Sequence, residues 1–193
     1  ITGPRNSAVT GAATDIGVRE ADADDAAVIA RIHSESWRST YAGILPDDVL
    51  LDLESRDHKE RWWRHVLGPV RSDHFVYVAE SADGGVIGFA SAGPSRNTGL
   101  PYRAEVYTIY LQDDFHGFGI GRQLFASTVA RAQEARGPSV IVWCLRENPS
   151  RFFYERMGGV MVARRTGTVG SAAVEEIGYA WEDASDLAVW GSV

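Results

Sequence analysis

Hydrophobic positions along this chain follow two different spacings, one typical of helices and the other of strands. Segments with apolar residues three and four positions apart predict helices at 22–40, 47–53, 57–67, 119–136 and 150–157. Segments that alternate between apolar and polar residues, or that are continuously apolar, predict strands at 16–19, 74–81, 86–92, 105–111, 139–145, 158–165 and 174–181. Asp83-Gly84-Gly85 is predicted to form the hairpin turn between the second and third strands.

The order of these elements predicts the fold class. One strand is followed by helices and then by three strands, after which helices and strands alternate. No linker or internal repeat divides the sequence, so we expect an α+β or mixed α/β fold with helices packed on a largely antiparallel sheet. Residues 1–14 are small and polar without periodicity, which predicts a disordered tail, and a single domain is expected at 15–193.

Composition and charge exclude several classes of function. The chain has 193 residues, and no apolar run approaches the roughly 18 that a membrane helix needs. The net charge of −7 argues against a surface that binds nucleic acid phosphates. A single cysteine, Cys144, excludes a disulfide within the chain and fits a cytoplasmic location. The five histidines lack the spacing of metal ligands, so no metal is expected.

The segment 105–122 carries the strongest candidate chemistry. A strand that begins with Glu105 runs into three alternate glycines, Gly117, Gly119 and Gly121, and then into a helix that begins near Arg122. Backbone N–H groups at such a junction can hold a phosphate, because the helix dipole favours negative charge there. Neither the dinucleotide fingerprint nor the P-loop pattern is present, and glycines near a helix start are also common in turns that bind nothing.

Alternation along the same strand predicts which of its side chains share a face. One face would carry Glu105, Tyr107, Ile109 and Leu111. The other would carry Val106, Thr108 and Tyr110. An acidic group would then lie upstream of the anion site, where acid–base chemistry could take place.

Two motifs stand in order on either side of one predicted helix and one predicted strand. The first is His116-Gly117-Phe118-Gly119-Ile120-Gly121, and the second is Asn148 followed by Phe153-Tyr154-Glu155-Arg156-Met157-Gly158. They resemble the acetyl-CoA signature and the later tyrosine motif of the GCN5-related N-acetyltransferase (GNAT) family. The resemblance covers about residues 16–182. It implies a three-layer α/β/α domain with a central, mostly antiparallel sheet.

The resemblance also implies a role for each part of the motifs, with acetyl-CoA as the cosubstrate. Glu105 would be the general base, directly or through water, and Tyr154 the acid that protonates the departing thiolate. Asn148 would contact the pantetheine arm, although Tyr154 follows it by six residues where the family usually has seven. The other residues implied to bind acetyl-CoA are Ile109, Tyr110, Leu111, His116, Gly117, Phe118, Gly119, Ile120, Gly121 and Arg122.

The acceptor is expected to be a primary amine of a small molecule, and residues 36–46 resemble a bacterial subgroup that includes polyamine acetyltransferases. The motifs do not specify the acceptor pocket, so a polyamine, an aminoglycoside, an amino acid and a protein N-terminus all stay open. Trp37 and Tyr41 lie four apart on one helix face, so they are either core residues or walls of the substrate pocket. A catalytically silent acyl-CoA-binding or regulatory module is the alternative function. A protein that only presents an aromatic interaction surface is a third. A homodimer is expected on general frequency.

Overall fold

The computed structural model describes residues 16–52, 56–68 and 73–187. The tail predicted at 1–14 lies outside the described residues. The helices are α1 (Ala26–Tyr41), α2 (Asp47–Asp52), α3 (Arg56–Val66), α4 (Ile120–Arg136) and α5 (Arg151–Arg156). The strands are β1 (Gly17–Glu20), β2 (Phe75–Glu80), β3 (Val86–Pro94), β4 (Ala104–Leu111), β5 (Val140–Leu145), β6 (Val160–Val169) and β7 (Ala172–Trp181). Within the described chain, no helix is both long and apolar enough to cross a membrane.

The start of α1 is fixed against the edge of the sheet by a network of carboxylates. The Asp22 carboxylate accepts a hydrogen bond from the N–H of Asp24, and the Asp25 carboxylate accepts one from the N–H of Asp22, both at 2.9 Å. Asp25 also accepts a hydrogen bond from Arg19 of β1 at 2.7 Å. These bonds cap the short 3-10 turn Ala23–Asp25, which leads directly into α1, and Asp25 ties that turn to β1.

The strands form one seven-stranded sheet in the order β1-β2-β3-β4-β5-β7-β6. The described strand pairs are antiparallel except for β4 and β5, which run parallel. A parallel pair needs a crossover connection, and α4 supplies it. The mixed α/β class with a mostly antiparallel sheet is therefore confirmed.

Helices cover both faces of the sheet, as the three-layer prediction requires. On one face, Phe125 and Val129 of α4 and Tyr154 of α5 pack against Val106 and Val142. On the other face, α1 and α3 pack against β2 and β3 through a cluster that includes Ile29, Ile32, Trp63, Val78 and Phe89. Both clusters are almost fully removed from water.

A β-bulge in β4 overturns the predicted alternation of its side chains. Ser91 of β3 pairs with Thr108 and Ala92 pairs with Val106, so Tyr107 is an extra residue between the two pairs. Val106 and Ile109, predicted on opposite faces, therefore pack into the same cluster with α4. Tyr110 lies on the other face, against the cluster of α1 and α3.

Candidate active site

β4 and β5 pair over only part of their length. The register joins Ala104–Val106 to Val140–Val142, whereas β4 continues to Leu111 and β5 to Leu145. A cavity of about 110 Å³ lies where the strands part, lined by β4 from Tyr107 onward, by the second half of β5, by the end of α1 and by α5. Seven predicted site residues line it: Tyr41, Ile109, Tyr110, Leu111, His116, Asn148 and Tyr154.

A second hollow of about 510 Å³ continues from this cavity toward the glycine loop. Gly117, Gly119, Gly121 and Arg122 line it on one side. Phe153, Arg156 and Met157 line it on the other. Five residues line both spaces: Ile109, Leu111, His116, Ser150 and Tyr154. The two spaces therefore form one continuous cleft, which we call the transfer cleft.

The glycine loop lines the cleft in a backbone conformation that glycine adopts readily. Gly117 has φ of +87° and Gly119 has φ of +84°, in the left-handed region that disfavours side chains. Gly119 is the N-cap of α4 and provides no side-chain cap, while the N–H of Arg122 already bonds to the carbonyl of Gly119 at 3.0 Å. The N–H groups just before Arg122 lie at the positive end of the helix dipole.

Three residues of the predicted signature have different environments from the glycines. The His116 side chain donates from Nε2 to the carbonyl of Leu111 at 3.0 Å, which ties the loop to the end of β4. That carbonyl is therefore already engaged. Phe118 is 49% exposed, whereas Ile120 is buried against Leu124 in the core, and neither lines the cleft.

Tyr154 lies at the junction of the two parts of the cleft. Its side chain is buried and packs against the ring of Phe125 at 5.9 Å and that of Phe153 at 5.5 Å. Burial raises its pKa above the usual value, and the neighbouring Cys144 and Tyr41 raise it further. The hydroxyl therefore keeps its proton at neutral pH, as an acid must before it can donate.

Asn148 joins the turn before α5 to α1. Its Oδ1 accepts a hydrogen bond from the N–H of Ser150 at 2.8 Å, and its Nδ2 donates to the hydroxyl of Tyr41 at 3.3 Å. Tyr41 is buried at the cavity wall, which raises its pKa, and its ring lies 4.5 Å from that of Trp37. Trp37 lines neither part of the cleft and packs beside Tyr41 and Leu45. Of the two predicted substrate-binding residues, only Tyr41 reaches the cavity.

Glu105 does not line the cleft. Its carboxylate has no exposed surface, accepts the N–H of Arg96 at 2.8 Å and forms an ion pair with the Arg96 guanidinium. Arg96 lies in the loop between β3 and β4, and its guanidinium also covers the ring of Tyr107 at 4.4 Å. A carboxylate enclosed in this way holds the loop in position. Its assignment as general base stays a prediction, and the geometry favours a positioning role.

Cys144 lines the cavity beside Tyr154, but its thiol is unreactive at neutral pH. Burial raises the pKa of Cys144 to about 12. The thiolate, which is the nucleophilic form, is therefore almost absent at neutral pH.

Several residues of the cleft were not identified from the sequence. Tyr107 and Trp143 line the cavity, Arg156 lines the hollow beside the glycine loop, and Arg96 closes over Tyr107. Arg156 lies inside the tyrosine motif and could have been read from it. The position of Arg96 depends on the bulge at Tyr107 and on the path of a loop, which leave no periodic signal.

No metal site accompanies this cleft in the part of the chain that the structure describes: no group of three or more His, Cys, Asp or Glu side chains there could hold an ion. The cleft combines a loop of backbone N–H groups with two arginines at one end and a buried tyrosine at its junction. Such a cleft suits a group-transfer enzyme whose donor carries phosphate.

Comparison with known proteins identifies the family. A sequence profile of the acetyltransferase (GNAT) domain matches residues 72–158. The chain is 35% identical over 172 residues to YuaI, an uncharacterised N-acetyltransferase of Bacillus subtilis (strain 168), covering 89% of this chain and 96% of that one. The chain belongs to the GNAT family, and it is an acetyltransferase of this type.

Solved structures share the fold at lower sequence identity. The PaiA N-acetyltransferase of Thermoplasma acidophilum, solved in complex with coenzyme A, is 23% identical with a TM-score of 0.66, over 84% of this chain and 98% of that one. YncA of Salmonella typhimurium, solved with its cofactor acetyl-CoA, is 22% identical with a TM-score of 0.63, over 87% of this chain and 94% of that one.

Proposed function

We propose that this protein transfers an acetyl group from acetyl-CoA directly to a primary amine of a small molecule. One observation carries the proposal: the transfer cleft connects the glycine loop at one end to a cavity of about 110 Å³ at the other, with Tyr154 between them. A long thioester could lie along the loop end while a small amine occupies the cavity.

The loop end of the cleft suits the diphosphate of acetyl-CoA. We assign the binding of the diphosphate to the N–H groups of residues 117–121. The cations Arg122 and Arg156, which line the same hollow, would add to the attraction. The pantetheine arm would follow the free edge of β4 at Ile109 and Tyr110, where pairing with β5 has ended. The end of the arm that carries the thioester would lie beside Asn148.

The proposed chemistry needs one acid at the leaving sulfur. A neutral amine nitrogen attacks the thioester carbonyl and the C–S bond breaks, and we assign to Tyr154 the proton that the departing thiolate takes up. The amine nitrogen gives up a proton after the attack, and this proton passes through water to the Tyr154 oxygen and regenerates the hydroxyl. The raised pKa of Cys144 supports direct transfer, because no thiolate is available at the cavity wall to carry the acetyl group.

Two measurements test the proposal together. Isothermal titration with acetyl-CoA measures binding, and a thiol-release assay with a panel of amines measures turnover. We expect binding and release of free CoA with at least one amine. Binding without turnover on any amine would instead indicate the catalytically silent acyl-CoA-binding module.

Sedimentation velocity on the same sample would test the expected homodimer.

Glu105→Gln is expected to lower the melting temperature while lowering kcat by less than about tenfold, well below the loss expected for a general base. The reason is that the carboxylate is enclosed by Arg96 and does not reach the cleft. Arg96→Gln removes the other half of the ion pair and should destabilise the fold more, because it leaves the enclosed Glu105 carboxylate without its cation. A fall in kcat of about 100-fold or more for Glu105→Gln alone would establish Glu105 as the base.

The pH dependence of kcat/KM is expected to rise about tenfold per pH unit between pH 7 and 9 for an alkylamine. An alkylamine has a pKa of about 10.4, so its neutral fraction grows by that factor below its pKa. The pKa of Tyr154 is raised, so the acid stays protonated throughout this range and gives no descending limb. A plateau that begins near pH 6 would indicate that a base of the protein deprotonates the bound ammonium.

A further inference from the structure

Asn148 is fixed in one orientation by the turn that leads into α5. It is buried, its backbone N–H donates to the carbonyl of Leu145 at 3.0 Å, and its carbonyl accepts the N–H of Arg151 at 3.1 Å. Its side-chain oxygen Oδ1 accepts the N–H of Ser150 at 2.8 Å. A backbone N–H can only donate, so the amide oxygen must face Ser150 and the amide nitrogen must face the other way.

The amide nitrogen of Asn148 is therefore a hydrogen-bond donor to Tyr41. Nδ2 lies 3.3 Å from the Tyr41 hydroxyl, and both residues are buried at the wall of the same cavity. An amide N–H has no lone pair to offer, so the Tyr41 oxygen accepts this bond and the Tyr41 proton points elsewhere. Burial raises the pKa of Tyr41, so the hydroxyl keeps that proton at neutral pH.

Tyr110 is the second polar neighbour of the Tyr41 hydroxyl. The two hydroxyls interact with each other, and the indole N–H of Trp37 lies beside that of Tyr110. Two hydroxyls that share one hydrogen bond keep one proton between them, and neither the amide nitrogen nor the indole nitrogen can accept it. Within the described chain, no other acceptor is recorded for that proton. Tyr41 and Tyr110 both line the cavity, so the two tyrosines together offer one O–H donor to its contents.

The donor lies close to the place where the thioester is proposed to react. The cavity holds about 110 Å³, and a compact space of this volume is only about 6 Å across. Tyr154 lines it as well. Burial is the main cause of the raised pKa of Tyr154, and Tyr41 lies near enough to contribute to it. A carbonyl oxygen held beside Tyr154 is therefore close to the donor.

We propose that Tyr41 is a catalytic residue whose hydroxyl donates a hydrogen bond to the thioester carbonyl oxygen, and that Asn148 is a positioning residue that orients Tyr41. We assign the donor to Tyr41 because Tyr110 packs against the cluster of α1 and α3, whereas the Tyr41 oxygen already accepts a hydrogen bond from Asn148. A hydroxyl that accepts one hydrogen bond is the stronger donor of the next. This inference rests on the proposed function and adds to it the group that stabilises the tetrahedral intermediate.

The electron movements of the transfer explain why such a donor is useful. When the neutral amine attacks the carbonyl carbon, the C=O π electron pair moves to the oxygen, and a donor already in place stabilises the negative charge. The carbonyl forms again as the C–S bond breaks, and Tyr41 keeps its proton throughout. The attacking nitrogen needs its lone pair for the carbonyl carbon, so a hydroxyl donor suits the carbonyl oxygen and does not suit the amine.

An infrared measurement tests the hydrogen bond without any acceptor. The probe is acetyl-CoA labelled with ¹³C at the thioester carbonyl and bound to excess protein, and the carbonyl stretch is read as the difference from unlabelled acetyl-CoA. A hydrogen bond to the carbonyl oxygen lowers the stretching frequency. We therefore expect a lower frequency in the parent protein than in Tyr41→Phe.

Tyr41→Phe is also expected to lower kcat by about 100-fold, the usual loss when one donor to an oxyanion is removed, with KM for acetyl-CoA changed little. The thiol-release assay measures both, with 2-phenylethylamine, glycinamide and spermidine as acceptors. Tyr107→Phe is the matched comparison, because Tyr107 lines the same cavity but donates its proton to the carbonyl of Pro94 at 2.6 Å. We expect its loss of kcat to be at least about 10 times smaller.

Asn148→Asp tests the positioning role. A carboxylate keeps an oxygen for the N–H of Ser150, but it replaces the N–H that Tyr41 accepts with a second acceptor, so Tyr41 would donate to the carboxylate instead of the thioester. We expect kcat to fall nearly as far as in Tyr41→Phe. The double variant should be no slower than Tyr41→Phe alone, because both changes remove the same hydrogen bond. The buried carboxylate lowers the melting temperature, so kcat is compared where circular dichroism shows each variant to be folded.

Three results would overturn the inference and leave the proposed function in place. They are equal carbonyl frequencies in the parent and Tyr41→Phe, a larger loss of kcat in Tyr110→Phe than in Tyr41→Phe, and additive losses in the double variant. Turnover on no amine although acetyl-CoA binds would instead remove the proposed function, and the infrared comparison would still decide whether Tyr41 contacts the carbonyl. If Asn148→Asp does not fold, the infrared and kinetic results for Tyr41→Phe decide the inference.

Discussion

Tyr154→Phe is expected to lower kcat by about 100-fold or more, the usual contribution of a general acid. The variant keeps the ring that packs against Phe125 and Phe153 and removes only the hydroxyl at the junction of the transfer cleft. KM for acetyl-CoA should change little, because the proposed diphosphate site is at the glycine loop. The melting temperature should be unchanged or slightly higher. Steady-state thiol release and thermal melting measure both quantities.

Tyr179→Phe provides a matched control for this prediction. Tyr179 is also buried, its ring lies 6.2 Å from that of Tyr154, and its hydroxyl donates to Glu155 at 2.7 Å. It lines a separate groove rather than the transfer cleft. We expect kcat to stay within about twofold while the melting temperature falls slightly, because a partly buried hydrogen bond is lost.

The two tyrosine variants separate chemistry from packing. Equal losses of kcat in both would mean that the hydroxyls support the shape of the α5 region and that neither supplies a proton. An acyl donor whose thiol has a higher pKa would enlarge the difference in kcat between the two variants, because the need for an acid grows with the pKa of the departing thiol. Undiminished kcat in Tyr154→Phe would remove the acid from the proposed mechanism.

The hydrophobic pattern located each helix and strand of the described chain within about four residues, because burial of one face imposes a period on the sequence. Errors of this size occur at the start of α1 and at the hairpin of β6 and β7. Residues 166–169 and 172–173 at its ends are mostly small, and their sequence gives no clear alternation of apolar and polar types. These strand ends are held by backbone pairing with one another and by the packing of Val169 and Ala172 against the cluster of Tyr41 and Leu50, and two apolar residues beside a turn are too few to show a period.

The glycine loop and Tyr154 could be identified from motifs because their positions follow from local sequence. The environment of Glu105 could not. Its carboxylate is enclosed because the bulge at Tyr107 shifts the strand by one residue and because Arg96 returns from the preceding loop. Both features are tertiary, and a single extra residue changes which face every later side chain occupies.

Gly119→Asp is expected to weaken acetyl-CoA binding by about 100-fold, measured by calorimetry. The substitution adds a negative charge at the proposed diphosphate site, where the dipole of α4 would otherwise attract the phosphates. Gly119 has φ of +84° and open space at the Cβ position, so the added side chain meets no clash and only the backbone conformation is strained. That strain should cost roughly 1–2 kcal/mol of unfolding free energy.

Gly84→Asp separates the charge from the strain. Gly84 lies in the turn between β2 and β3 with φ of +80°, and it too has open space at its Cβ position. The two variants should lose similar unfolding free energy in urea, because the left-handed strain is similar. Only Gly119→Asp should lose affinity for acetyl-CoA. If both variants bound it as tightly as the parent, the glycine loop would be a turn without a ligand, and the diphosphate would have to bind elsewhere along the cleft.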